Sequence, residues 1–214
     1  MADPDREWYD RARDARQLTV FAGDTLKRSP LWGRLFPRVI ADFNTFSNQQ
    51  KFGVTLTQSQ TAPAEAENDF SGADVRFEAG DTFQFKAAGQ SLTVTIDPLV
   101  QGKTRTLAWD FGKGGQIRKA CILMRAKPMA DDFPRVIGDP CLIAFAIHEC
   151  IHAIGLNDHT VGGGDLLEQA PQLRTGARDK PDEDKFEVNG GKRIPPLFLL
   201  AATLGRIQRL WPSP

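Results

Sequence analysis

All three histidines of the chain, His148, His152 and His159, fall within a span of twelve residues. His148 and His152 are four apart, with Glu149 between them, inside the apolar run Cys141-Leu-Ile-Ala-Phe-Ala-Ile-His-Glu-Cys-Ile-His-Ala-Ile154. Residues four apart share one face of a helix, so both imidazoles reach a single ion. Glu149, one position on, is angled away from direct ligation but close enough to hold a water bound to that ion. Zinc lowers the pKa of such a water toward neutrality, and the carboxylate takes its proton as general base, later passing it to a leaving amine. Burying two imidazoles and a carboxylate in an apolar helix is costly unless something pairs them. Zn2+ is therefore the expected cofactor, with His148 and His152 as ligands and Glu149 as the catalytic residue.

A hydrolytic zinc takes three protein ligands and keeps one position open. The run His148-Glu-Cys-Ile-His-Ala-Ile-Gly-Leu-Asn-Asp-His159 resembles the extended motif of the metzincin peptidases, H-E-x-x-H-x-x-G-x-x-H. In that motif the glycine turns the chain back so that the third ligand arrives from a loop. Strict counting puts Asp158 in the third-ligand position, as in the snapalysin-type variant, while His159 lies one residue later. Position favours Asp158. Ligand type favours His159, as does the matrixin-like Thr160 that follows it, and the expectation leans to His159 with Asp158 orienting the loop.

The resemblance implies a zinc endopeptidase acting on a protein or peptide substrate. It also implies a strand, a helix, further strands, the zinc helix and a C-terminal helix, covering roughly residues 17 to 211. Two departures stand out. Metzincins place a methionine beneath the zinc, whereas here Leu166 or Leu167 occupies that place, a hydrophobe of similar size. Tyr9 is the single tyrosine, so close kinship with families that use a tyrosine at the zinc is excluded.

The elements that must carry these residues are legible in outline. Asp139-Pro140 reads as an N-cap and first-turn proline opening the zinc helix, and Gly155 as its stop. Upstream, Gln17–Phe21 reads as a strand, and Ser29-Pro30 opens a helix with Leu31, Leu35, Val39, Phe43 and Phe46 on one face, where Pro37 argues for a kink or a late start. Alternation marks strands at Phe52–Leu56, Ala73–Phe77 and Ser91–Ile96, with another at Ile117–Met124 after a turn at Gly112–Gly115. Pro195–Trp211 carries an apolar stripe expected to form the last helix. The fold class is α+β: a metzincin-like single domain over 17–214, with one mixed twisted sheet, after a polar leader at 1–16. Ser91–Ile96 is either an ordinary sheet strand or the edge strand for a substrate added by β-augmentation. Residues 160 to 185 are the expected pocket wall, where Gly162–Gly164 give either mobility or a plain loop.

Composition narrows the remaining classes. Lysine and arginine number 27 and aspartate and glutamate 27, so no nucleic-acid partner is expected. No stretch is apolar enough to span a membrane, and a monomer is expected. The charged opening residues do not form a signal peptide, so the compartment stays open: secreted or periplasmic if a signal has been removed, otherwise cytoplasmic. Cys121, Cys141 and Cys150 read as buried thiols, with a Cys121–Cys141 bridge as the alternative, and Cys150 faces away from both motif histidines. Two rival functions share the motif: a non-catalytic zinc-binding or interaction protein, and a zinc hydrolase of a non-peptide amide. Retention of Glu149 argues against the first, because a structural site needs no general base.

Overall fold

The computed structural model describes residues 5–97, 100–109, 115–129, 135–159, 164–169 and 171–212. The central sheet has five strands in the order β2-β1-β3-β7-β6, with β1 Gln17–Ala22, β2 Thr55–Ser59, β3 Val75–Ala79, β6 Gly102–Trp109 and β7 Gln116–Met124. The first four are mutually parallel and β6 runs antiparallel to β7, so the expected mixed sheet is present.

The apolar stretch of β7 follows from burial on both faces. Ala120, Ile122 and Met124 enter the main core with the helices, while Cys121 and Leu123 pack with Phe85, Val94 and Ile96 beneath a hairpin. That hairpin pairs β4 Thr82–Ala87 with β5 Gln90–Thr95 as a separate two-stranded sheet. The expected edge strand Ser91–Ile96 therefore lies off the central sheet, and the edge strand beside the histidine-bearing helix is β6. Alternation in β5 gives one wet and one dry face, which a hairpin lying on a sheet also requires, so periodicity alone does not distinguish the two placements.

A short helix α1 spans Asp10–Ala15, and α2 spans Asp24–Arg28. Helix α3 runs unbroken over Pro30–Gln50 with Pro37 inside it, and the Ser29 hydroxyl accepts from the Trp32 amide at 3.1 Å as the expected cap. Helix α4, Asp139–Ala153, packs between α3 and the β6–β7 end of the sheet. Its cap is Gly138 rather than Asp139, because both Asp139 oxygens are taken by Arg34 at 2.6 and 2.9 Å. A side chain at Gly138 would put Cβ 1.9 Å from the Pro181 carbonyl, so the close approach requires glycine.

Beyond α4, β8 Gln172–Arg174, β9 Lys185–Glu187 and β10 Arg193–Ile194 make a small antiparallel sheet, with a 3₁₀ turn at Pro181–Glu183 before β9. Buried Asp184 ties this region to the start of α4, accepting from Arg135 at 2.6 and 2.8 Å and from the Gly138 amide at 2.9 Å. The last helix, α5, spans Ala201–Leu210 and not Pro195–Trp211. Consecutive prolines at 195 and 196 supply no amide hydrogens, and Leu200 is extended at φ −80° and ψ 156°, which delays the start. Residues 5–16, expected as a polar leader, pack onto the domain: Trp8 is 0% exposed and its indole N–H donates to the Ala153 carbonyl at 2.8 Å. Gly112–Gly114, Thr160, Gly162 and Gly163 lie outside the described residues.

Candidate metal centre

Helix α4 presents His148 and His152 on one face, and the turn after it returns His159 to the same point. The Nε2 atoms of His148 and His152 are 3.0 Å apart, and His159 Nε2 lies 3.0 Å from the first and 3.3 Å from the second. Two imidazoles bound tetrahedrally to one zinc at its usual Zn–N length of about 2.0–2.1 Å have their nitrogens about 3.3 Å apart. The three-nitrogen cluster thus has the size of a zinc ligand set.

Hydrogen bonds fix which nitrogen faces inward. His148 Nδ1 sits 2.7 Å from the Leu166 carbonyl and His152 Nδ1 sits 2.6 Å from the Leu156 carbonyl. A carbonyl only accepts, so each Nδ1 carries the hydrogen and each Nε2 turns a lone pair toward the centre. Converging lone pairs repel one another unless a cation sits among them, and backbone carbonyls behind ligating imidazoles are the usual outer partners of a metal. Both rings are held neutral, with pKa values pushed down to about 4. Burial is the main cause, followed by the neighbouring histidines: His159 for His148, and His148 for His152.

The two third-ligand candidates separate clearly. His159 joins the cluster, whose ligand atoms all lie within 4.8 Å of one another, and Asp158 does not. Asp158 instead offers its backbone carbonyl to Arg206 at 3.3 Å.

Glu149 is 7% exposed. One carboxylate oxygen, Oε2, accepts from the Thr104 hydroxyl of β6 at 2.7 Å, and the same hydroxyl lies 3.0 Å from the Glu149 carbonyl. Burial raises the carboxyl pKa, partly offset by the neighbouring His152 imidazole and by the hydrogen bond from Thr104. The other oxygen, Oε1, faces Gly102, where a Cβ would stand 3.2 Å away. Thr104 and Gly102 escape a reading of the sequence, since nothing local marks a threonine as the partner of a carboxylate 45 positions on.

Beneath the site, Leu166 and Leu167 are buried in the main core, where the motif resemblance puts a methionine. Asp165, also buried, accepts from the Leu167 amide at 3.0 Å, the Leu200 amide at 3.1 Å and the Thr203 hydroxyl at 2.5 Å, tying this turn to α5. Cys150 is buried in the same core, away from the histidines, with its thiol pKa raised by burial. Cys121 and Cys141 are likewise free and buried, so no disulfide joins them.

Neither a family model nor a curated protein sequence matches the chain. Among solved structures, it is similar to archaemetzincin from Methanopyrus kandleri, with 13% sequence identity and a TM-score of 0.42 over 91% of this chain and 94% of that one. At this identity and score the likeness says nothing of activity, which is read from the side chains of the site.

Proposed function

We propose that the protein is a zinc-dependent endopeptidase in which His148, His152 and His159 hold the metal and Glu149 is the general base. The observation that carries the reading is the convergence of three Nε2 atoms at 3.0–3.3 Å, two of them with their Nδ1–H groups committed to backbone carbonyls. Zinc, when bound, acts as a Lewis acid on the substrate carbonyl and brings the pKa of an attacking water down toward neutrality.

The chain's own residues supply the proton handling and positioning. Thr104 occupies Oε2 of Glu149, which leaves Oε1 to accept a proton and deliver it to the nitrogen of the departing amine. Burial raises the basicity of that carboxylate, bringing it nearer the working pH. Strand β6, paired on one side with β7, is the outer strand of the central sheet, and its other side is where an extended peptide would add. Gly102 on that strand lets the Glu149 side chain pack against the backbone, since a Cβ there would stand 2.9 Å from the Glu149 Cγ and 3.1 Å from the Met124 sulfur.

The test is Glu149→Gln, assayed on a peptide library with metal content measured in parallel. The expected result is full zinc occupancy with cleavage reduced about 10²–10⁴-fold, the usual worth of a general base. Zinc-loaded wild-type protein that cleaves no peptide would sink the peptidase reading.

A further inference from the structure

The turn between the second and third histidines is held partly by its own amides, with Gly155 N–H donating to the His152 carbonyl at 3.0 Å and Leu156 N–H to the Ile151 carbonyl at 3.4 Å, and partly from outside. The last helix carbonyl, Ala153, and those just past it have no partner within the helix, and here groups distant in sequence claim them. Ala153 accepts from the Trp8 indole at 2.8 Å, Ile154 from the Trp211 indole at 2.9 Å, and Gly155 from the Arg6 amide at 2.9 Å. Gly155 itself adopts φ +122°, and a Cβ there would stand 2.3 Å from the Arg6 carbonyl, so the turn and residues 5–8 fit only with glycine between them.

The last of these carbonyls is Asp158, the residue immediately before His159. Arg206 of α5 points two nitrogens at it, Nη1 and Nη2, each at 3.3 Å. The same guanidinium is fixed by Asp5, with Nε donating to Oδ2 at 2.9 Å and Nη2 to Oδ1 at 2.6 Å, a two-pronged pairing that sets its plane. Asp5 also accepts from the Asn157 amide at 3.3 Å. The ion pair is largely withdrawn from water, with side-chain exposures of 21% and 23%.

We infer that Arg206, clamped by Asp5, is a positioning residue for the third histidine, so that docking of residues 5–8 sets the zinc affinity of a site they do not touch. The inference rests on the reading of His148, His152 and His159 as a zinc site. His148 and His152 are aimed by the helix and by the Leu166 and Leu156 carbonyls, whereas His159 lies beyond a glycine turn, where the backbone needs an external anchor. Arg206 and Asp5 provide it one peptide bond upstream.

The experiment uses the full chain with Arg206→Lys, Asp5→Asn and both together. Zinc affinity is measured by competition with a chromophoric chelator, and the unfolding temperature of the metal-free proteins is recorded alongside. Each single variant is expected to bind zinc about tenfold more weakly, the low end of the effect of lost outer partners, and the double variant no more weakly than the worse single one. In a His159→Ala background, Arg206→Lys is expected to leave the residual affinity unchanged, because the ligand it positions is gone. Asp5→Asn is isosteric and provides a folded variant should the lysine destabilise α5. Unchanged zinc affinity with a lowered unfolding temperature would show the pair to be a brace only and overturn the inference, as would an equal loss in the His159→Ala background. Wild-type protein that takes up no zinc would overturn the site reading and this inference with it; tight wild-type binding with unaffected variants would overturn this inference alone.

Discussion

Lowering the pH of the zinc-free protein should destabilise it well above the pH at which its ion-paired aspartates protonate. His148 and His152 have folded-state pKa values near 4, depressed mainly by burial. Unfolded, each returns to about 6.5, so between those values the unfolded state binds more protons and stability falls as pH falls. For one histidine, the linkage relation gives a loss of roughly 2 kcal/mol between about pH 7.5 and pH 5, hence roughly 4 kcal/mol for the two. That is a large part of the roughly 5–15 kcal/mol available to a typical domain. His159 is more exposed and adds less, and no histidine exists outside the cluster to contribute. Glu149, whose carboxyl pKa is raised by burial, takes up its proton earlier in the folded state and offsets part of this loss, whereas the ion-paired aspartates act in a different window. Asp139 and Asp184 are depressed in the folded state, Asp139 by Arg34, and Asp184 by Arg135 and two backbone amides that outweigh its burial. Their stabilisation is therefore intact above about pH 4 and lost only below it. Urea titrations of chelator-treated protein at the two pH values measure the difference directly. A stability that changes by less than about 1 kcal/mol would refute the view that both rings are buried and neutral. Zinc needs the same neutral imidazoles, so its affinity should fall over the same interval.

Two further outcomes can be checked on the same preparations. His159→Ala should weaken zinc binding by more than the hundredfold typical of outer partners, whereas Asp158→Ala should change it only a few-fold, because Arg206 grips a backbone carbonyl that alanine retains. Chelator competition measures both, and the reverse order would transfer the ligand role to Asp158. Trp8→Ala should cost about 3–5 kcal/mol in urea unfolding. Trp8→Phe should cost about 1–3 kcal/mol, since it keeps most of the packing and orphans the Ala153 carbonyl; a loss under about 1 kcal/mol for the alanine variant would mean that residues 5–9 are not part of the core.

What the sequence by itself determined is local. The i, i+4 spacing of His148 and His152, the apolar run that buries them and the glycine that ends the helix depend only on helix geometry, and all appear in α4 and the turn after it. Helix α3 and the strands around residues 17–21, 73–77 and 117–124 were legible for the same reason, because each buries a face with its own period. Strand β6 was not, since Gly102-Lys-Thr-Arg-Thr106 has no apolar alternation to mark a strand. Tertiary structure alone decided which of two adjacent residues joins the histidine cluster, because the path of the chain beyond a glycine turn is not set by local spacing. It also decided which nitrogen of each imidazole faces inward, which strand borders the site and which hydroxyl holds the Glu149 carboxylate. Each of these is a contact between residues far apart in sequence, such as Thr104 with Glu149 or Arg206 with Asp158, and their partners are brought together only by packing.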